Sequence, residues 1–301
     1  MANSTLSRIR IVLVEPAGAL NLGSIARVMK NMGLTRLILV NPRCHPTDDE
    51  ALRMAVHAKD LLQTALIVPS LPDALADCHR AVATTGRERD PLEELFEHPQ
   101  QVLPWLLGDR PTTAASSPTP PSPHCIESAL IFGPEDRGLS NTELSYAQRY
   151  LRIPTSSVYS SLNLAQAVAI CCYEMRQLTL IDGQARNQRA SLLPSSSKPN
   201  PRAHIEEPDS QYDHHNTDND GELYDSESSR FVAIEELEGF YEHLEETLLR
   251  IGYILPHTAD SRMKKFRRLF NRAALSPSEV SMLRGILRQV GWAAGQSEKT
   301  D

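Results

Sequence analysis

The chain has 301 residues, 41% of them hydrophobic, and a net charge of −7. That leaves room for one large domain, or a medium domain and a small one, and gives enough apolar material for a proper core. The charge argues against a nucleic-acid binder until its location is read. Residues 203–229 hold nine Asp or Glu and no Lys or Arg, so the remainder of the chain stands at about +2. No apolar run has the length of a transmembrane helix, and residues 1–10 hold no signal core, so a cytoplasmic protein is expected. Cys44, Cys78, Cys125, Cys171 and Cys172 show no CxxC or metal-ligand spacing. They read as reduced, mostly buried thiols, and no metal is expected.

Arg10–Val14 is a buried-strand candidate. A loop and a helix follow, with Asn21 as the expected N-cap, Ile25, Val28, Met29 and Met32 as the apolar face, and Gly33 at C′. Arg27 points off that face and, taken alone, reads as a solvated helix arginine. Leu37–Val40 is a second strand. The next helix has Thr47 as its expected cap and Asp48, Asp49 and Glu50 in its first turn. Leu66–Val68 and Arg80–Thr84 are further short strands, with a helix at Ser70–Ala76 between them. Such alternation predicts a parallel sheet with helices on both faces.

Thr84-Thr85-Gly86-Arg87 closes its strand with small hydroxyl residues and a glycine. It is either a loop that lets a ligand approach the backbone or a plain turn. Residues 111–123, PTTAASSPTPPSP, predict a mobile loop. Ser128–Phe132 is a buried strand ended by Gly133-Pro134, and Leu151–Ile153 another, ended by Pro154. Ser160 or Ser161 is then expected to cap a helix running to Leu180. Two buried strands that open into loops rich in Gly, Ser, Thr and Asn suggest a ligand at the carboxyl edge of the sheet.

Residues 184–230 lack periodicity and predict a disordered acidic linker. The pair His214-His215 within it reads as solvated rather than metal-binding. Ala233–Arg250 is amphipathic, with Leu237, Phe240, Tyr241, Leu244 and Leu248 on one face. Arg262, Lys264, Lys265, Arg267 and Arg268 crowd a second helix, whose Met263, Phe266, Leu269 and Phe270 can pack while the cations face out. Ser276-Pro277-Ser278-Glu279 is a capping box that opens a last helix to about Trp292. A P-loop is absent, which excludes the phosphate-cradling nucleotide hydrolases that carry one.

Three separated segments lie in the order and spacing of one family. They are Asn21-Leu-Gly-Ser-Ile-Ala-Arg27, Ile131-Phe-Gly-Pro-Glu-Asp-Arg-Gly-Leu139 and Ser160-Ser-Leu-Asn-Leu-Ala-Gln-Ala167. Together they resemble the motifs of the SpoU (TrmH-like) RNA ribose 2′-O-methyltransferases of the SPOUT superfamily. The C-terminal stretches FYEHLEETLL, RMKKFRRLF and LRGIL resemble the extension of a tRNA-modifying branch. The resemblance covers about residues 8–180 and 231–290.

The resemblance implies an α/β fold, a parallel sheet whose chain end is tucked into a deep trefoil knot, with a small all-α domain behind it. It implies a knotted domain at 1–183, the linker at 184–230 and a helical tRNA-binding domain at 231–301. It also implies a homodimer with the active site at the subunit interface, and S-adenosyl-L-methionine as cofactor. Carried over motif by motif, the cofactor contacts are Thr84, Thr85, Gly86, Gly133, Ile153, Ser160, Ser161 and Leu162. The catalytic set is Arg27, Asn21, Glu135 and Asn163. Glu135 is expected to pair with an arginine or an amide, and Asn163 to tie its turn to the first motif. Tyr159 could stack a base or shape the pocket. Arg137 is either an RNA phosphate contact or a structural ion pair. The expected RNA-binding residues are Arg87, Arg137, Arg262, Lys264, Lys265, Arg267 and Arg268.

The implied reaction is 2′-O-methylation of tRNA at the pyrimidine of anticodon-loop nucleotide 32. A ribosomal RNA 2′-O-methyltransferase is the same-class alternative. A catalytically silent RNA-binding protein on the same fold is the different-class one, and the intact Asn21, Arg27, Glu135 and Asn163 speak against it.

Overall fold

Short runs of Val, Ile and Leu, each closed by a turn and followed by a helix, assemble as a parallel sheet in the computed structural model, which describes residues 3–86, 96–108, 126–192 and 232–297. In chain order the elements are α1 (Asn3–Leu6), β1 (Ile9–Val14), α2 (Ala19–Met32), β2 (Arg36–Val40), α3 (Asp49–Ala55), α4 (Lys59–Gln63), β3 (Leu66–Val68), α5 (Leu71–Leu75) and β4 (Arg80–Thr84). Then come β5 (Phe96–Glu97), α6 (Pro99–Leu107), β6 (Ser128–Phe132), α7 (Asn141–Leu144), β7 (Arg149–Leu151) and α8 (Leu164–Leu192). The last three are α9 (Ile234–Arg250), α10 (Ala259–Ala273) and α11 (Pro277–Ser297). The sheet order is β3-β2-β1-β6-β4-β7-β5, and all pairings are parallel.

The side-chain period of two splits each buried strand between two cores. Ile9, Ile11 and Leu13 of β1 face one cluster with Leu22, Ile25 and Met29 of α2 and Val168, Cys171, Cys172 and Met175 of α8. Val12 and Val14 face the other with Ile38, Val40, Leu75, Ala81, Ala129 and Ile131. On that second face Arg10 caps α5 from below, its guanidinium donating to the carbonyls of Ala74 (3.2 Å) and Ala76 (2.6 Å).

The C-terminal helices have their own core of Leu237, Phe240, Tyr241, Leu244, Ile254, Met263 and Val280. They also lie on the sheet domain. Ile234 is buried in the second core, and its N–H donates to the Cys78 carbonyl at 2.8 Å. Asn271 Nδ2 donates to the Ala147 carbonyl at 3.3 Å.

Several boundaries differ from the sequence expectation. The cap of α2 is Gly18, not Asn21, and the cap of α3 is Asp48, not Thr47. Helix α8 starts after Asn163, whose Oδ1 accepts from the N–H of Ala165 at 2.9 Å. Ser160 and Ser161 therefore do not cap it: an Asx cap with Gln166 three residues on closes the helix end. The helix continues to Leu192, so the boundary expected at 183 falls inside it. Strand β5 and helix α6 were not expected from sequence. Helix α11 opens on the expected box, with Ser276 N–H donating to Glu279 Oε2 at 2.7 Å, and runs past Trp292. The loop at 111–123, Cys125, Arg87 and residues 193–230 of the expected linker lie outside the described residues.

Candidate active site

Strands β6, β4 and β7 are neighbours in the sheet, so their carboxyl ends form one edge. Thr84 closes β4, Gly133 follows β6, and Ile153 follows β7. Thr84 Oγ1 donates to the Ile131 carbonyl at 2.9 Å, and the Thr85 N–H donates to the Leu151 carbonyl at 3.0 Å. These bonds lock the β4 loop to both neighbours. At Gly86 nothing among the described residues lies within 4 Å of where a side chain would start, so this backbone has room for a ligand. Ser160, Ser161 and Leu162 are exposed on the loop between β7 and α8, and Tyr159 with them.

Gly133 is different. A Cβ there would stand 2.3 Å from the Leu139 nitrogen and 2.4 Å from the Gly138 carbonyl carbon. Its glycine is required by the protein's own backbone turning back at 138–139, not by room left for a ligand. Gly138 makes that turn with φ of 65°.

The first and third motifs meet on the second. Glu135 accepts from the N–H of Ala17 (3.1 Å), the N–H of Gly18 (3.2 Å) and Asn21 Nδ2 (2.9 Å). Asn163 Nδ2 donates to Asn21 Oδ1 at 3.0 Å. One carboxylate thus holds the unpaired amides at the start of α2, and Asn21 passes the connection to the start of α8. Burial pushes the Glu135 carboxyl up, but the bonds from Asn21, Ala17 and Gly18 outweigh it and leave the pKa below the ordinary value. A carboxylate held charged and occupied by three donors suits a positioning role and is poorly suited to accept a proton.

Arg27 stands on the exposed face of α2 with Leu20 and Ser24, at i, i+4 and i+7. Among the described residues its guanidinium makes no hydrogen bond or ion pair. It is therefore free to meet an anionic ligand.

Arg137 resolves as an ion pair. It donates to Glu143 Oε2 and Oε1 at 2.8 and 3.0 Å and lies 3.4 Å from Glu15. Burial pushes the Glu143 carboxyl up, and the bonds from Arg137 and Ser140 bring it down to about 2. Sequence reasoning missed Glu15 and Arg43. Glu15 sits at the end of β1 with φ of 46°, and Arg43 bridges it to Asp136. The available signal was a charged residue directly after β1 and another three residues past β2, both at the carboxyl edge of the sheet.

The basic helix also differs from expectation. Arg267 does not face outward. Its guanidinium forks onto Glu238 and lies 4.5 Å from the Tyr241 ring centroid and 5.7 Å from that of Tyr146. Tyr146 belongs to the sheet domain, so Arg267 clamps the two units. Lys264 pairs with Asp260 at 2.6 Å. Leu269 is exposed rather than packed. Arg262, Lys265 and Arg268 are exposed and, among the described residues, unpaired.

Among the described residues no group of His, Cys, Asp or Glu could hold a metal, and no helix is long and apolar enough to cross a membrane. Cys78, Cys171 and Cys172 are buried and Cys44 half-buried. Burial pushes the Cys78 thiol up to about 11 and the Cys172 thiol to about 12, which makes them poor nucleophiles.

The model of the SpoU rRNA methylase family matches residues 8–173, and that of the C-terminal domain of the tRNA methyltransferase TrmJ matches residues 235–299. The chain is 36% identical over 285 residues to the tRNA (cytidine/uridine-2′-O-)-methyltransferase TrmJ of Pectobacterium atrosepticum, covering 95% of this chain and 97% of that one. The crystal structure of TrmJ from Z. mobilis ZM4 superposes with a TM-score of 0.65 at 26% identity, over 93% of this chain and 98% of that one. A probable methylase family protein from Haemophilus influenzae Rd KW20 gives 0.53 at 26% identity, over 97% and 99%. The chain belongs to the SpoU methylase family, in the branch that carries the TrmJ-type C-terminal domain.

Proposed function

We propose that the chain methylates the ribose 2′-hydroxyl of tRNA, with S-adenosyl-L-methionine as methyl donor and the pyrimidine at nucleotide 32 as target. The observation that carries this reading is the bond network Ala17/Gly18–Glu135–Asn21–Asn163. It draws three distant segments into one site beside the shared edge of β6, β4 and β7. The relatives named as tRNA (cytidine/uridine-2′-O-)-methyltransferases support the tRNA substrate and the 2′-hydroxyl.

The cofactor, when bound, supplies an electrophilic methyl on a sulfonium centre. The peptide groups at Thr84, Thr85, Gly86 and Gly133 fit its polar edges, and the open space at Gly86 admits close approach. Ile153, Ser160, Ser161 and Leu162 complete the pocket. The fold is read as knotted at the β7–α8 segment, and the unit as a homodimer with Arg27 facing the partner's pocket. With tRNA as substrate, the enzyme is read as cytoplasmic.

Held at Thr84, Thr85, Gly86, Gly133, Ile153, Ser160, Ser161 and Leu162, the cofactor would supply the methyl for the ribose 2′-oxygen, and the hydroxyl proton would pass to solvent. A guanidinium is a poor proton acceptor, so Arg27 is not assigned the role of base. It clamps the phosphate next to the target ribose, orients the hydroxyl and stabilises the developing oxyanion charge. Asn21 and Asn163 fix the start of α2, which carries Arg27 two turns on.

The test is a map of 2′-O-methylation across total RNA in a strain lacking the gene. Loss at nucleotide 32 of a set of tRNAs is expected. Loss confined to ribosomal RNA, or no loss anywhere, overturns the reading.

A further inference from the structure

The cations expected on α10 are partly used within the fold, since Arg267 is committed to Glu238 and Lys264 to Asp260. A different basic surface lies between α9 and α11. Helix α11 sets Arg284, Arg288 and Trp292 at i, i+4 and i+8, on one face. Helix α9 faces it with His243, Glu246 and Arg250. Between them is a cleft of about 510 Å³ floored by Thr247 and Leu287. That is within the ~300–1,000 Å³ of sites that take a small ligand.

Three observations give this cleft a ligand class. Arg250 and Arg288 line it and, among the described residues, neither makes a hydrogen bond or ion pair; the single carboxylate there, Glu246, leaves it net positive. Trp292 is 66% exposed, with no ring stacked on it among the described residues. Gly291 is not demanded by packing, because among the described residues a Cβ there would meet only the far end of Arg250, at 3.8 Å. Glycine is a poor helix residue, and here its effect is to keep the cleft open. Paired guanidiniums suit phosphate, and a bare indole face suits a base that has left its stack.

We propose that this cleft holds one unstacked nucleotide of the RNA substrate, with the base on Trp292 and flanking phosphates on Arg250 and Arg288. The proposal rests on the reading of tRNA as substrate and adds where a nucleotide outside the methylation site is held. It differs from the α10 cations in kind: those supply charge alone, whereas this cleft adds an aromatic face for a base.

The test measures binding of the full chain to unmodified tRNA across a series of salt concentrations. Trp292→Ala should weaken binding about tenfold, and Trp292→Phe, which keeps a stacking face, should restore most of it. Arg250→Ala with Arg288→Ala should lower the slope of log K against log salt by roughly two. Gly291→Leu leaves every charge in place and fills the cleft, so it should weaken binding about as much as Trp292→Ala without altering that slope. Since Trp292 is exposed and a side chain at Gly291 would point into the open cleft, circular dichroism and melting should match the parent. Parent-like binding by Trp292→Ala and Gly291→Leu, in a protein that binds and methylates tRNA, overturns the cleft and leaves the function standing. Failure of the parent chain to bind any tRNA overturns the substrate reading, and the cleft with it.

Discussion

Asn163 Nδ2 donates to Asn21 Oδ1 at 3.0 Å across 142 positions of sequence. This bond joins the start of α8 to the start of α2, and Glu135 holds the other side of the Asn21 amide. Removing Asn163 frees the α8 cap and the link to α2 together. In a double-mutant cycle, Asn21→Ala and Asn163→Ala should each slow methyl transfer and destabilise the fold. The double variant should be less impaired than the sum by about 1 kcal/mol, because the shared bond is lost once. Additive effects, read from urea unfolding and turnover, would mean the bond does not couple the two helices.

Gly133→Ala should lower the melting temperature by roughly 5 °C or more, through contact with the backbone at Gly138 and Leu139. Loss of cofactor affinity should follow from the displaced loop. Unchanged melting with weaker cofactor binding would instead place the ligand, not the 138–139 turn, against Gly133.

Glu143 makes stability depend on acid. Its folded pKa of about 2 lies below the ordinary 4.5, so its contribution is fully present above pH 4.5 and is lost as pH falls toward 2. Glu135 shifts in the same direction. The melting gap between parent and Glu143→Gln should be widest above pH 4.5 and close toward pH 2. A gap that widens on acidification would contradict this sign.

Arg267→Ala should loosen the C-terminal helices from the sheet domain, since it leaves Glu238 half-buried and unpaired and removes the stack on Tyr146. Such a loss costs about 3 kcal/mol. Limited proteolysis should show faster cleavage between the two units. Lys265→Glu with Arg268→Glu should leave proteolysis unchanged and weaken tRNA binding. The reverse pattern would return Arg267 to the RNA surface.

The parallel sheet was legible because β1, β2, β4 and β6 are short apolar runs closed by turn residues. Residues Phe96–Glu97 gave no such signal: a strand two residues long has no period to read. Asn21 and Asn163 were legible as motif members, but their cap roles were not: Gly18 rather than Asn21 caps α2, and Asn163 rather than Ser160 or Ser161 caps α8. A cap is chosen by where the chain enters a helix, and tertiary pull from Glu135 starts α2 two residues before Asn21. The fate of Arg267 was not legible at all. A cation in a basic run looks like its neighbours until the facing helix supplies Glu238 and Tyr241.

The most direct test of the whole account is methyl transfer from labelled S-adenosyl-L-methionine to unmodified tRNA by the purified chain and by Arg27→Ala, with nucleosides identified by mass spectrometry and cofactor binding measured in parallel. The account predicts a 2′-O-methylated pyrimidine at nucleotide 32 for the parent. For Arg27→Ala it predicts a loss of about a hundredfold or more, with cofactor affinity nearly unchanged. Near-parental turnover in Arg27→Ala, or no methyl on any tRNA from the parent, would contradict it.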